Sequence, residues 1–313
     1  MHIVAVLNRD GGTLRTMDME SFCARAREAF ERHGHTLDCR IVQGDAVEAE
    51  LRKVASSAGV DAMLAGGGDG TVSAAAGIAY ETGMPLGILP AGTMNLFARA
   101  LKMPLDLGAA LEALAAGEVG AVDVATANGR LFVHQFGVGL HARLVRIREG
   151  MVYHSRVGKM LASLRAVGGV VMRPPVFEAE LHTAGGVVRR RVSAIAISNN
   201  RVGDGHIPHA DRLDAGVLGV YVAAPMSTAE LLGLVGGIFL GTWRSSRMIS
   251  ESEVVSVTLR FPKRKRGAQA VIDGELVDLA PTVDLAVHPG ALRVIIPHEA
   301  PEAAGWFSGN QNG

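Results

Sequence analysis

The sequence predicts an N-terminal α/β domain with a parallel sheet, followed by an antiparallel β-sandwich. Strand-like and helix-like runs alternate through residues 1–125, which is typical of a parallel sheet wrapped by helices. Short strand-like runs separated by turns dominate residues 126–298, which favours a sandwich. With 313 residues, of which 48% are hydrophobic, the chain can fill two modest cores. Residues 299–313 are rich in Gly, Asn and Ala and are predicted to form a tail, either mobile or docked.

In the N-terminal domain, short apolar runs predict the strands, and longer runs with helical spacing predict the helices between them. The predicted strands are His2–Leu7, Thr36–Val42, Asp61–Ala65, Pro85–Leu89 and Gly120–Thr126. The predicted helices are Glu20–Gly34, Asp45–Ala58, Val72–Thr82 and Leu107–Ala116.

In the C-terminal domain, β-like runs alternate with turn residues, and two helices interrupt them. The predicted strands are Leu131–Gly139, Val176–Thr183, Val188–Asn199, Val217–Ala223, Val254–Phe261, Ala268–Ile272 and Leu292–Ile296. One predicted helix spans Ser155–Val171 and has an apolar stripe with basic flanks. The other begins at Ser227 and Thr228, which are N-cap residue types, and continues to Leu240.

Charge and cysteine content exclude several classes of protein. Lys and Arg together number 31, as do Asp and Glu, so net charge does not favour a nucleic-acid binder. Only Cys23 and Cys39 are cysteines, which predicts a reducing cytoplasm rather than a disulfide scaffold. Met1–Asn8 runs straight into a strand without a signal-peptide pattern. The longest apolar stretch, Leu231–Trp243, is shorter than the roughly 20 residues of a membrane span, so any membrane contact is expected to be peripheral.

A glycine-rich hexapeptide, Gly66–Thr71, lies between a predicted strand and a predicted helix. Consecutive glycines predict a turn with positive φ angles that approaches a ligand closely, and Thr71 is expected to cap the helix, whose positive end then faces an anion. Asp69 places a carboxylate at the centre of this loop, which indicates a divalent cation that offsets like-charge repulsion. The pattern predicts a loop that binds nucleotide phosphates together with Mg²⁺. The alternative is a strand-to-helix turn without a ligand.

A second loop of small residues, Pro90–Asn95, follows the predicted strand Pro85–Leu89 and precedes a helix-like run, Leu96–Leu101. It carries hydroxyl and amide donors. Because successive strands of a parallel sheet place their loops at one edge, where open α/β sheets bind ligands, we expect this loop beside Gly66–Thr71. The two loops together favour a ligand site over two connecting turns.

With these motifs the chain resembles the diacylglycerol kinase catalytic-domain superfamily, which also contains sphingosine and ceramide kinases and small bacterial lipid kinases. The resemblance covers almost the whole chain and depends on the order and spacing of several motifs. These are Gly66–Thr71, Pro90–Asn95 with Phe97–Arg99 behind it, Phe136–Gly139, the Asn199–Pro208 loop, the Asp214–Gly216 turn and Ile272–Glu275.

The resemblance implies a nucleotide-binding domain similar in fold to NAD kinase and phosphofructokinase, a β-sandwich domain for the lipid substrate, and a catalytic cleft between them. The implied reaction transfers the γ-phosphoryl group of ATP, with Mg²⁺, to a lipid hydroxyl. The implied setting is the membrane surface, reached by a cytoplasmic and peripherally membrane-associated enzyme. The implied ATP-binding residues are Asn8, Gly66, Gly67, Gly68, Asp69, Gly70, Thr71, Gly92, Thr93 and Asn95.

The resemblance also implies that Glu275 is the catalytic base, with Asp273 beside it. Phosphoryl transfer needs a carboxylate near the attacking hydroxyl, and these two residues flank Gly274 on one short turn or strand end. An ordinary polar β-turn is the alternative interpretation of the pair. Asp69 is a further candidate for the base, because the sphingosine kinase branch gives that role to the Asp of the equivalent loop.

Several positions depart from the family pattern. Ser73 and Ala74 stand where relatives often have an Asn-Glu pair, so more of the Mg²⁺ and phosphate organisation is expected to fall on Asp69. Arg9 replaces a proline of the N-terminal loop and could reach a phosphate. In the loop that holds a structural Mg²⁺ in some bacterial relatives, Asp214 lies one position earlier than usual and is a candidate ligand. These departures suggest a divergent subgroup whose substrate need not be diacylglycerol.

Two other functions stay open at this stage: a soluble-substrate kinase of the NAD kinase type, and a catalytically silent lipid-binding or regulatory protein. The basic run Lys263–Arg266 could meet an anionic membrane surface or be a solvated loop. The predicted helix Ser155–Val171 could lie on a bilayer or face the core. Diacylglycerol, a sphingoid base and ceramide can each present a hydroxyl to the same machinery, so the acceptor lipid stays open. A homodimer is a candidate assembly.

Overall fold

The computed structural model describes residues 1–150, 174–204 and 209–297. Contacts along the chain divide it into two compact units. Unit 1 comprises Met1–Val124, Arg212–Asp214 and the described residues from Pro289 onward. Unit 2 comprises the described residues of Ala125–Asp211 and Ala215–His288.

The strands are β1 His2–Asn8, β2 Thr36–Val42, β3 Ala62–Gly67, β4 Leu86–Pro90, β5 Glu118–Ala127, β6 Arg130–Phe132, β7 Gln135–Gly139, β8 Phe177–Thr183, β9 Gly186–Val192, β10 Ala194–Asn199, β11 Leu218–Ala223, β12 Ile249–Val254, β13 Ser256–Arg260, β14 Gln269–Ile272, β15 Glu275–Asp278 and β16 Thr282–Ile296. The α-helices are α1 Met19–Arg32, α2 Val47–Ala55, α3 Asp69–Thr82, α4 Leu96–Ala100, α5 Leu107–Ala115, α6 Leu140–Gly150 and α7 Thr228–Phe239. Short 3-10 helices span Gly12–Thr16, Gly44–Ala46 and Trp243–Ser245.

Unit 1 is built on a parallel sheet with the strand order β2-β1-β3-β4. Every residue of β3 and β4 is buried, as expected for central parallel strands covered on both faces. The amphipathic helix α1 begins after Asp18, whose carboxylate accepts hydrogen bonds from the backbone N–H groups of Glu20 and Ser21. Because β1, β3 and β4 run in the same direction, the loops that follow them emerge at one edge of the sheet.

Unit 2 is a sandwich of antiparallel strands, so the predicted fold class is confirmed. One sheet has the order β12-β11-β10-β7-β14-β15. The other brings together β9, β8, β13 and the part of β16 that precedes residue 289, all paired antiparallel. A buried cluster drawn from both sheets forms the core and includes Phe132, Phe136, Ile197, Leu259 and Leu285. The inner faces of two sheets thus bury a common apolar layer.

Three apolar runs that were each predicted as one strand are each two strands in the structure. Leu131–Gly139 divides into β6 and β7, and Val188–Asn199 divides into β9 and β10 at Ser193. Val254–Phe261 contains the last residue of β12 and all of β13, with the break at Val255; the earlier residues of β12 were not predicted. In each case the first and second strands belong to different sheets, so the chain crosses the sandwich at the break. An apolar run satisfies the inner face of either sheet, and its residue types therefore give no sign of the crossing.

Two helix predictions have different outcomes. Helix α7 begins as predicted: Ser227 and Glu230 form a reciprocal capping box at its start. Ser155–Val171 lies outside the described residues. Helix α6 and strand β15 were not predicted. Among the helices of the described ranges, none is both long and apolar enough to cross a membrane.

Candidate functional site

The glycine-rich loop joins β3 to α3, and its glycines allow close packing rather than a left-handed backbone. Gly66, Gly67 and Gly68 all lack positive φ angles, so the positive-φ turn expected from the sequence is wrong. A Cβ atom at Gly66 would lie 2.6 Å from Cδ2 of Leu7, and one at Gly67 would lie 2.6 Å from Oγ1 of Thr71. Any side chain at these two positions would displace a neighbour, and glycine is therefore required for close approach.

The cap expected from Thr71 is also wrong. Gly68 occupies the N-cap position of α3, which has no side-chain cap. Oγ1 of Thr71 instead accepts a hydrogen bond of 3.2 Å from Nδ2 of Asn8. The N–H of Val72 makes the first intrahelical bond, to the carbonyl of Gly68 at 3.1 Å. The three N–H groups before it lie at the positive end of a 14-residue helix, where anions are stabilised.

Asp69 connects the glycine-rich loop to the second loop. Its Oδ2 accepts a hydrogen bond of 3.1 Å from the N–H of Asn95, and its Oδ1 accepts one of 2.7 Å from the N–H of Leu96. These N–H groups begin α4, so Asp69 supplies the cap that Asn95 itself does not provide. The carboxylate fixes two loops relative to each other across 26 and 27 positions of sequence.

Asn95 and Gly92 shape the second loop. Asn95 is buried with a left-handed backbone at φ 51°, which Asn tolerates better than most residues. Its Oδ1 accepts a hydrogen bond of 2.8 Å from the N–H of Gly92, and its Nδ2 donates to the Gly92 carbonyl at 2.9 Å. A Cβ at Gly92 would lie 2.6 Å from Cα of Gly68, so the two loops are in backbone contact. Thr93 is exposed at the tip of the loop.

A third loop, after β1, completes the arrangement. Asn8 reaches Thr71, as described, and its Oδ1 accepts a hydrogen bond of 3.0 Å from the N–H of Asp10. The N–H of Thr13 donates to the carbonyl of Ala91 at 2.9 Å. Gly12 has φ 42°, and a Cβ there would overlap the Ala91 carbonyl oxygen. No role for Gly12 was predicted, although the Gly11–Gly12 pair was a usable signal.

The predicted catalytic pair, Asp273 and Glu275, lies at a tight hairpin in unit 2. Ile272 pairs with Glu275, so Asp273 and Gly274 form a two-residue turn with φ 47° and 88°. Two positive φ angles are typical of a type I′ turn, which matches the right-handed twist of the paired strands. The backbone therefore forms the polar β-turn of the alternative interpretation. The turn conformation does not decide what the two carboxylates do.

The two carboxylates have different surroundings. The carboxylate oxygens of Asp273 accept three backbone hydrogen bonds, from the N–H groups of Val133 at 2.9 Å, His134 at 3.0 Å and Gln135 at 2.9 Å. Glu275 is exposed, and its Oε2 accepts a hydrogen bond of 2.6 Å from Nη2 of Arg130. Asp273 thus holds the connection between β6 and β7, whereas the Glu275 carboxylate lies at the surface of unit 2.

The predicted metal ligands are not assembled into a cluster. Both oxygens of Asp214 bind Arg212, at 2.9 and 3.2 Å, and this hydrogen-bonded guanidinium lowers the pKa of Asp214 below its usual value. A cation at Asp214 would have to displace Arg212. Within residues 1–150, 174–204 and 209–297, no group of three or more His, Cys, Asp or Glu side chains could hold a metal ion.

Comparisons with known proteins agree with this fold and these motifs. The family model "Diacylglycerol kinase catalytic domain" matches residues 2–127. The chain is 30% identical over 296 residues to a "Probable lipid kinase YegS-like" of Pseudomonas aeruginosa strain UCBPP-PA14. The aligned region covers 88% of this chain and 90% of that protein. It is 28% identical over 250 residues to the uncharacterized protein sll0036 of Synechocystis, covering 76% of this chain and 55% of that protein.

Among solved structures, a candidate diacylglycerol kinase of Bacillus anthracis strain Sterne has a TM-score of 0.74 at 20% identity, over 96% of this chain and 98% of the other. That likeness supports the fold alone. The fold, the motifs and the sequence relatives together define an enzyme of the lipid kinase class. The chain belongs to the diacylglycerol kinase catalytic-domain superfamily, whose members similar to it include YegS-like lipid kinases.

Proposed function

We propose that this enzyme transfers the γ-phosphoryl group of ATP to the hydroxyl of a membrane lipid. The acceptor we expect is diacylglycerol-like, a sphingoid base or ceramide, and the enzyme would associate peripherally with the membrane that contains it. One observation carries the nucleotide half of the proposal: three loops at the carboxyl edge of a parallel sheet are fixed to one another by the contacts of Asn8, Gly12 and Asp69. Open α/β sheets bind ligands at this edge.

The phosphates would lie against the first turn of α3. Backbone N–H groups there, before the first intrahelical bond, can donate to phosphate oxygens. The hydroxyl of Thr93 is exposed and free to contribute from the second loop. Gly92 and Asn95 would act by shaping that loop, because the Gly92 N–H is already directed to Asn95.

Asp69 is the residue we propose for Mg²⁺. Each of its oxygens accepts one backbone N–H, whereas a carboxylate offers about four acceptor positions, so capacity for a cation remains. Mg²⁺ is commonly held by one or two carboxylates together with substrate phosphates and water, and a larger protein cluster is not needed. When bound, Mg²⁺ would offset negative charge on the transferring phosphoryl group.

Glu275 is the base we propose. The acceptor oxygen would form a bond to the γ-phosphorus, the bond to the bridging oxygen of ADP would break, and the hydroxyl proton would pass to the Glu275 carboxylate. Arg130 would orient that carboxylate through its 2.6 Å hydrogen bond. Asp273 would act indirectly, because its three hydrogen bonds fix the turn that precedes Glu275.

The test is a radiolabelled-ATP assay against a panel of diacylglycerol, sphingosine and ceramide in mixed micelles, with NAD as a separate soluble acceptor. We expect one lipid to be labelled and Glu275→Gln to lower its turnover at least about 100-fold without changing the Kd for ATP. Asp278→Asn is the matched control, because Asp278 is an exposed carboxylate on the same strand. Labelling of NAD alone would favour a soluble-substrate kinase, and full activity of Glu275→Gln would remove Glu275 from the mechanism.

A further inference from the structure

A cavity of about 670 Å³ opens at one end of the sandwich in unit 2. Its volume is in the range of pockets that hold small organic ligands. It is bounded by the end of β7, the start of β8, the end of β13 and helix α6, so it opens between the two sheets. The apolar residues that line it include Val138, Ala142, Phe177, Phe261, Ala268 and Leu279. This apolar lining favours a hydrocarbon chain over a fully polar ligand.

The rim of the cavity is strongly basic. Among the residues that the structure describes, six cationic side chains and one carboxylate, that of Glu178, line it. The cationic residues are Arg143, Arg146, Arg191, Lys263, Arg264 and Lys265. This described lining therefore carries five more positive than negative charges, although the chain as a whole has a net charge of zero. Such a local field attracts an anionic group.

Two of the rim guanidinium groups bind neutral acceptors, so these hydrogen bonds leave their charge uncompensated. Nε of Arg146 donates to Oε1 of Gln269 at 2.7 Å, and Nη1 of Arg264 donates to the Leu279 carbonyl at 2.9 Å. Both contacts orient the guanidinium groups without neutralising them. Planar guanidinium groups suit phosphate oxygens, to which they can donate two parallel hydrogen bonds.

The cavity is separate from the proposed base. Gln269, at its edge, pairs with Asp278, whereas Ile272, at the other end of β14, pairs with Glu275. Three residue steps of a strand separate these positions by about 10 Å. The residues that line the cavity include neither Asp273, Glu275 nor Arg130.

We propose that this basic cavity binds an anionic phospholipid, with an acyl chain in the apolar interior and the headgroup phosphate at the guanidinium rim. The site is additional to the site where the acceptor lipid is phosphorylated. It would hold the enzyme on membranes rich in anionic lipid through one defined lipid contact, in addition to any diffuse attraction between basic residues and the surface.

The experiment uses the full chain without nucleotide, so its result does not depend on phosphoryl transfer. Binding of monomeric dihexanoyl phosphatidylglycerol is measured by isothermal titration calorimetry. Dihexanoyl phosphatidylcholine, which has no net charge, and glycerol phosphate, which has no acyl chain, are the comparison ligands. We expect phosphatidylglycerol to bind at least about tenfold more tightly than either, because only it satisfies both the rim and the interior.

Two double variants with the same change in charge separate a defined site from a diffuse field. Arg191→Glu with Lys265→Glu alters the rim, whereas Arg190→Glu with Arg266→Glu alters the adjacent positions, which do not line the cavity. All four residues are exposed, so both variants are expected to fold, which thermal unfolding checks. We expect the rim variant alone to weaken phosphatidylglycerol binding at least about tenfold.

Each alternative result would overturn the proposal. Equal losses in both double variants would indicate a diffuse field. Equal affinity for phosphatidylcholine would exclude a role for the basic rim, and equal affinity for glycerol phosphate would exclude a role for the apolar interior. Absence of phosphatidylglycerol binding by a protein that still phosphorylates lipid would remove this site and leave the proposed reaction intact.

Discussion

Substitution of Asp273 shows whether this member of the predicted catalytic pair takes part in the reaction or stabilises the fold. It accepts three backbone hydrogen bonds from the segment between β6 and β7. Hydrogen bonds to charged groups contribute about 1.5–3 kcal/mol each, but Asp273 is half-buried and the three bonds share one carboxylate. We therefore expect Asp273→Gly to lower the free energy of unfolding of unit 2 by about 3 kcal/mol. Glycine is suited to the φ of 47°, so backbone strain does not confuse the result.

Asp273→Asn refines the prediction, because Asn also tolerates this backbone conformation. Its amide has one accepting oxygen where the carboxylate has two, so a loss of roughly half as much stability is expected. The assay is urea unfolding followed by tryptophan fluorescence in a Trp306→Phe background. The signal then comes from Trp243, which is buried in unit 2. With a urea m-value of about 2 kcal/mol/M, a loss of 3 kcal/mol lowers the midpoint by about 1.5 M.

Glu275→Gln is the control for this series, because its carboxylate is exposed and makes one hydrogen bond, to Arg130. It is expected to move the unfolding midpoint little, since exposed ion pairs contribute about 0–1 kcal/mol. The reasoning would be refuted by the opposite pattern: an Asp273→Asn variant with an unchanged midpoint and abolished turnover. That outcome would make Asp273 a catalytic residue.

Three further predictions concern the loops and the core. Gly12→Ala should weaken ATP binding at least about tenfold, because the added methyl overlaps the Ala91 carbonyl. Gly59→Ala is the control: its φ is 80° and no atom lies within 4 Å of the added Cβ, so ATP binding should not change. Equal losses in both variants would assign the effect to φ strain alone. Asp69→Asn should weaken ATP binding about tenfold in EDTA, because it disturbs the cap of α4, and should weaken it further with Mg²⁺, because it also removes the proposed metal ligand. Equal losses with and without Mg²⁺ would exclude Asp69 as a metal ligand, and no loss in EDTA would exclude it as a connection between the loops. Burial raises the pKa of Tyr221 to about 12, so its contribution to stability should be constant below pH 10 and fall between pH 10 and 12. Ultraviolet absorbance at high pH, compared with Tyr221→Phe, measures this ionisation, and a Tyr221 that titrates near pH 10 would contradict it.

Residue types were enough to predict the fold class and the positions of the two small-residue loops that follow β3 and β4. Apolar runs, glycine clusters and the Asp-Gly turn reflect the conformational preferences of a few neighbouring residues, so short segments of sequence are enough to recognise them. Residue types alone did not predict where strands change sheets, as at Ser193, because the inner faces of both sheets require the same apolar residues. They also predicted the wrong reason for Gly66 and Gly67, which are needed for contact with Leu7 and Thr71 rather than for positive φ.

Local sequence patterns are sufficient to predict a two-part α/β and β-sandwich protein with glycine-rich loops at the end of a parallel sheet. The use of its polar side chains depends on contacts that form only in the folded chain. Asp69 binds the start of α4, Asp273 binds a segment about 140 positions away, and Glu275 meets Arg130 across 145 positions. The order of strands in the sheets sets these partners, because a hydrogen bond forms only between groups within about 3 Å of each other, however distant they are in the chain.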